Sequence, residues 1–172
     1  MPEAVRLLAE LVGPDLWQLS QEIEKLVVFA QGRPVQEADV RALASSAREA
    51  TIFSLVDAVV EGRTSQALRI LDRFIREGAA PSYVLMMLAR QTRLVLLSQD
   101  LLAQGLSPSE MGPRLGLTAV FAVRKTLAQA RAIPPQRVIA LHRRLLEADL
   151  AIKTGRMDGV VALEVLVTEA AA

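Results

Sequence analysis

The sequence holds a single histidine, His142, and no cysteine, so few residues could act as a nucleophile's base or a soft metal ligand. A catalytic triad needs a histidine within reach of a hydroxyl held on a strained turn. His142 instead sits mid-pattern beside Arg143 and Arg144 and reads as a surface histidine. Carboxylates alone could bind a hard cation, but that requires an Asp-x-Asp loop with a closing Glu, and none is present. Glu22 and Glu24, two apart on a predicted helix, point to different faces. None of the nine glycines is followed by lysine, which excludes a phosphate-cradling loop of the usual kind. These residues predict a chain that is not an enzyme and that uses no metal and no cofactor.

The charges are balanced as well as sparse in chemistry. Twenty basic residues are interleaved with nineteen acidic ones, a formal net charge of +1. An autonomous nucleic-acid binder concentrates Lys and Arg on one face. Arg124 and Lys125, and Lys153 and Arg156 around Gly155, are the candidates for touching DNA phosphates, against the plainer reading of a solvated or ion-paired surface. Arg143 with Glu147, and Asp149 with Lys153, are (i, i+4) pairs worth ~0.3–0.5 kcal/mol each on an exposed helix. Trp17 and Tyr83 read as core or interface anchors. An alternative function comes from residues 107–131, which have the outline of a helix-turn-helix DNA-binding regulator. Its reading positions would be Ala119, Val120, Phe121 and Ala122, which offer bases no hydrogen bonds.

The elements carrying these residues are all helical. Hydrophobic residues make up 52% of the 172 and aromatics 3%, so the core must be Leu, Val, Ile and Ala. Asp15 reads as the N-cap of a helix with Leu16, Leu19, Ile23, Leu26 and Val27 inward, after a first helix ended by Gly13-Pro14. A short helix follows from about Gln36 to Ala44. Small residues near Ser45 to Ala50 predict a boundary, with Thr51 capping a helix stopped by Gly62. Thr64 caps the next. Pro81 opens a long helix that is apolar nearly all round and therefore buried on more than one side. Ser107-Pro108-Ser109-Glu110 is a capping box whose helix Pro113 should cut short. Thr118 caps the segment to Arg131. Pro134-Pro135 opens a helix with Val138, Leu141, Leu145, Ala148 and Ile152 inward, stopped by Gly155, and a last helix starts near Asp158. The sum is three small helices and then about seven more. No stretch is long enough to span a bilayer and no signal peptide opens the chain, so the expected location is cytoplasmic.

Several segments together resemble the delta subunit of the bacterial DNA polymerase III clamp loader. Leu11 to Ala30, LVGPDLWQLSQEIEKLVVFA, is similar to that family's Gly-x-Asp-Leu-Trp…Glu-Ile-Glu-Lys-Leu segment. Pro34 to Leu43, PVQEADVRAL, matches its next short helix, and Arg48 to Ala58, REATIFSLVDA, resembles the start of its collar domain. Glu147 to Gly155, EADLAIKTG, and then Ala162-Leu163-Glu164 resemble its closing segment. The resemblance implies an AAA+ lid-like helical domain over residues 1–47 and a helical collar domain over 48–172. It implies a C-terminal fragment, without the N-terminal nucleotide-binding-like domain that touches the sliding clamp. It further implies a non-catalytic subunit, any nucleotidyl transfer belonging to the parent holoenzyme. The collar would join the gamma/tau ATPase and delta-prime subunits in a ring that loads the sliding clamp during replication, with primer–template DNA as a further partner. Tyr83, Arg90 and Arg93 are the candidate subunit-interface residues, because aromatic and Arg side chains are enriched at interfaces. Arg124, Lys125, Lys153 and Arg156 would face the template.

Overall fold

The computed structural model describes residues 2–12, 16–43, 45–117 and 119–170, which form ten helices and, among the described residues, no strand. The chain divides into two compact units, one of Met1–Ala50 with Leu106–Lys125, the other of Thr51–Gly105 with Thr126–Ala172.

In the first unit, helix α1 (Pro2–Val12) buries Ala4, Leu8 and Val12, which a spacing of four stacks along one side. Helix α2 (Leu16–Ala30) adds Leu26, and α3 (Glu37–Leu43) adds Val40, with Leu7, Leu19, Val35 and Phe121 packed at the edge. Two consecutive left-handed residues, Gln31 (φ 47°) and Gly32 (φ 86°), turn the chain after α2. Arg33 then forks onto Asp39, Nη1 donating to Oδ2 at 2.7 Å and Nη2 to Oδ1 at 2.8 Å. The Gln36 backbone N–H donates to the same carboxylate at 2.8 Å, which satisfies an orphan donor at the start of α3. These hydrogen bonds, Arg33 first, hold the Asp39 carboxyl down at about 2. Helix α7 (Pro108–Leu115) starts at the capping box as the sequence predicts: the Ser107 N–H donates to Glu110 Oε2 at 2.9 Å. The Ser107 hydroxyl donates to the same oxygen at 2.5 Å, and it, with the backbone N–H second, lowers the Glu110 carboxyl.

The second unit holds most of α4 (Ser45–Val60), α5 (Thr64–Arg76), α6 (Pro81–Ala103), the later turns of α8 (Val120–Ala132), α9 (Pro135–Lys153) and α10 (Gly159–Ala170). Its core is aliphatic: Leu55, Val56 and Val59 of α4, Leu71 of α5, Val84, Leu88 and Val95 of α6, Val138, Leu141 and Leu145 of α9, and Leu163 and Val167 of α10. One polar chain crosses it. Gln91 Nε2 donates to Gln129 Oε1 at 2.8 Å and to Thr126 Oγ1 at 3.3 Å, and Gln129 Nε2 donates to Asp57 Oδ1 at 2.6 Å and to the Phe53 carbonyl at 3.1 Å. Helix ends are closed from other helices. Gln99 of α6 donates to the carbonyls of Ala130 and Ile133 where α8 ends, at 3.3 and 2.8 Å, and Arg137 of α9 donates to the Val60 carbonyl at 2.6 Å. Gly159 opens α10 against Pro81, whose Cβ lies 2.8 Å from where a side chain on residue 159 would begin. Only glycine fits that approach.

Four sequence expectations need correction. The two units divide between Ala50 and Thr51, but the helix does not: α4 runs continuously from Ser45, so Thr51 lies inside it rather than at its cap. Thr64 is the first residue of α5, preceded by Arg63 at the cap without a side-chain hydrogen bond. Pro113 does not stop α7, which continues to Leu115 and ends at Gly116 (φ 66°), where Leu117 N–H reaches the Gly112 carbonyl at 2.9 Å. A proline removes one donor, and in so short a helix that single loss is tolerated. Finally, the α2 stripe is not wholly inward: Leu26 is buried and Leu19 half-buried, but Leu16, Ile23 and Val27 are exposed. The expected caps Asp15 and Thr118, the Gly13-Pro14 stop, and Ala44 lie outside the described residues. Gly62, Gly78 and Gly155 adopt positive φ where helices end, and Asp158 caps α10, its Oδ1 accepting from Val160 N–H at 2.8 Å.

Two measurements test these interactions. Gln129→Ala strands the Gln91 amide and the Asp57 carboxylate, and is expected to lower stability by about 1–3 kcal/mol in urea unfolding. Asp39 has a lowered folded pKa, so its stabilisation is present above about pH 4, where the unfolded carboxylate is ionised, and fades as pH falls through about 2. The gap in urea midpoint between the wild type and Asp39→Asn should therefore be constant at neutral pH and close progressively in acid.

Candidate functional site

In the second unit α9 lies between α6 and α10, packed on both. Its buried side is Val138, Leu141, Leu145 and Ala148. A second stripe, Ile139, Arg143, Leu146, Leu150 and Lys153, falls within about 80° of arc at 100° per residue and faces outward. Leu146 is 58% exposed and Leu150 46%. Two open grooves flank this ridge. One, of about 390 Å³, runs between α9 and α6 and brings Leu146 together with Met86 and Ala89. The other, of about 420 Å³, runs between α9 and α10 and brings Leu150 together with Met157 and Val165. Ion pairs sit along the grooves, Lys153 Nζ with Asp149 Oδ2 at 2.6 Å and Arg144 with Glu169. The expected Arg143–Glu147 pair does not form; Arg144 pairs across to α10 instead, and among the described residues Arg143 has no partner.

Tyr83, Arg90 and Arg93 share one side of α6 with Met86 and Leu97, again within about 80° of arc. Tyr83 packs half-buried on the core, while Arg90 and Arg93 are exposed. Lys153 and Arg156 flank the Gly155 turn, Lys153 ion-paired and Arg156 donating from Nε to Thr154 Oγ1 at 3.1 Å. Arg124 and Lys125 are exposed on α8, in the first unit. Phe121, one of the would-be reading positions of a helix-turn-helix, packs against the first core, and Ala122 is buried. His142 is exposed as expected, and its Nδ1 lies 3.0 Å from Thr92 Oγ1. The Thr92 hydroxyl also lies within reach of the Leu88 and Ala89 carbonyls, and its contact with the imidazole is a polar link between α6 and α9.

The first unit carries a surface of different character. Between α1, α2 and α3 lies an apolar groove of about 340 Å³ lined by residues such as Val5, Leu8, Ile23, Val27 and Val35. On α2, Trp17 is 76% exposed, so it is not a core residue. Sequence reasoning missed the α9 ridge and this groove. The signal for the ridge was present: α9 has more Leu and Ile positions than one buried stripe can use.

No three His, Cys, Asp or Glu residues gather as a metal site among the described residues, and none of the described helices is long and apolar enough to cross a membrane. The fold defines the class: an all-α protein of two helical units with apolar ridges and grooves on its surface. The family model for the DNA polymerase III delta subunit, C-terminal domain, matches residues 49–170, and the chain belongs to that family. It is 26% identical over 168 residues to DNA polymerase III subunit delta of Bacillus subtilis (strain 168), a match covering 97% of this chain and 48% of that protein. The solved structure of the Bacillus subtilis DNA clamp loader delta protein is similar at a TM-score of 0.80 and 25% identity, over 99% of this chain and 50% of that one. The chain thus spans about half the length of the relatives it matches.

Trp17 is the sole tryptophan, and its exposure is directly measurable. Its emission should be red-shifted and water-like, and readily quenched by iodide or acrylamide. A blue-shifted, protected emission would mean that the indole is covered.

Proposed function

We propose that this chain is the part of a clamp-loader delta subunit that holds the loader together without catalysing a reaction. Residues 1–47 would be the lid-like helical domain and 48–172 the collar. The observation that carries the reading is the family match over residues 49–170, on a unit whose helices keep large apolar side chains in water after their own core is filled. The solved relative is named a clamp loader delta protein and the curated one a subunit, and a subunit needs a surface for its neighbours. The partners are the gamma/tau ATPase and delta-prime subunits, with primer–template DNA within the assembled loader. Collar packing would anchor the subunits while ATP binding on the neighbours tilts the modules beneath and opens the sliding clamp. Contact with the clamp falls to an N-terminal domain of the kind the family carries. Tyr83, Arg90 and Arg93 are proposed at the subunit interface, and Arg124, Lys125, Lys153 and Arg156 towards the template.

The test is assembly. Mixed with the loader's ATPase and delta-prime subunits, the folded chain should move into a larger complex on size-exclusion chromatography. A folded chain that elutes alone in every mixture would refute the reading.

A further inference from the structure

We infer that the open apolar face of α2, with Val5 of α1 beside it, is a pairing surface for a second copy of this chain, the two α2 helices lying antiparallel across a two-fold axis. The inference goes beyond the loader reading and stands on the first unit alone. At 100° per residue, Leu16, Trp17, Ile23, Val27 and Val28 fall within about 140° of arc on α2, and the polar residues inside that arc are Ser20 and Glu24. Leu16 is 79% exposed and Val28 76%, and Val5 extends the face across the groove that Ile23 and Val27 line. The core these three helices share is Ala4, Leu8, Val12, Leu26 and Val40. Among the described residues, α1 and α2 therefore keep more large apolar side chains on this face than that core takes in.

Area and register decide the occupant. At their observed exposures the six side chains leave roughly 800 Å² of apolar surface in water, against about 300–600 Å² for the largest patch on a typical monomer. That is also the ~800 Å² each partner contributes to a stable interface, so one further copy suffices to cover it. A two-fold contact brings the same patch from both sides and must be complementary to itself. Antiparallel α2 helices centred near Glu22 meet that condition. Leu16 then opposes Val27 of the second copy, Trp17 opposes Val28, and the small Ser20 opposes Ile23 and lets the backbones approach. Glu24 falls against Gln21, whereas parallel helices would set Glu24 on Glu24 and Trp17 on Trp17.

The test is sedimentation velocity on the full 172-residue chain alone, over about 1–100 µM, where an interface of this size associates. The mass should rise with concentration from 18.7 kDa to twice that value. The water-like emission of Trp17 belongs to the dilute chain and should shift to the blue as the copies pair. Trp17→Ala and Val28→Lys, each at an exposed position, should weaken pairing about tenfold or more with unchanged circular dichroism. Val161→Glu, at an exposed apolar position on α10, should pair like the wild type. The chain has no cysteine, so an oxidised mixture of Leu16→Cys and Val27→Cys chains reads the register directly. It should give the mixed disulfide in preference to either like pair; like pairs in preference overturn the antiparallel arrangement. Folded Trp17→Ala and Val28→Lys chains that still pair overturn the face. A wild type that stays at the single-chain mass throughout overturns the second copy as occupant, and a blue shift of Trp17 only on adding the loader's subunits does the same. None of these outcomes bears on whether the chain enters the loader complex, so the loader reading stands or falls separately.

Discussion

Gln129 does for the second unit what no aliphatic side chain could. Its amide accepts from Gln91 on α6 and donates to Asp57 and the Phe53 carbonyl on α4, so three helices meet at one side chain. An aliphatic core with so few aromatics packs in many near-equivalent ways, because Leu, Val and Ala are interchangeable in volume at modest cost. A buried hydrogen-bonded chain is different: it is satisfied in one arrangement and strongly unfavourable in the others. Once α4, α6 and α8 are registered by it, the aliphatic residues of α9 and α10 have a defined surface to cover.

The same register determines which apolar residues remain outside. Helix α6 is apolar nearly all round, and its neighbours cover Val84, Leu88 and Val95 but not Met86 or Leu97. Helix α9 likewise has one stripe more than the core can use. In a family named for a subunit, this surplus is the material an assembly needs. The first unit differs in kind, since its small core leaves an apolar groove between helices rather than a ridge upon one. Its Arg33–Asp39 fork organises the turn into α3 and does not point to chemistry.

Much of this was legible because prolines and glycines mark element ends by backbone physics alone. Pro81 and Pro135 open α6 and α9 as a first-turn proline does, and the capping box at Ser107 formed as written. At 45–50 the unit division was legible but the helix start was not, because Ala and Ser look like linker, although Ala, Arg and Glu are good helix formers and α4 simply continues through them. The ring of residues around α6 and α9 could be assigned to helices but not to faces. A helix apolar on several sides has no preferred inward direction until its neighbours are known. The polar chain was half visible: Gln91 and Thr92 interrupt a long apolar run, which signals that partners must exist, yet nothing in sequence identifies Gln129 and His142 as those partners.

The two glutamines of α6 carry one more implication. Gln91 engages α8 through Gln129, and Gln99 engages the end of that same helix through the carbonyls of Ala130 and Ile133. Inserting or deleting one residue between them would swing one amide by about 100° away from its acceptors. This stretch of α6 is therefore a measuring rod laid along α8. The turns can take a gain or loss of chain length, whereas one residue more or fewer in the eight-residue interval between the amides would break the register.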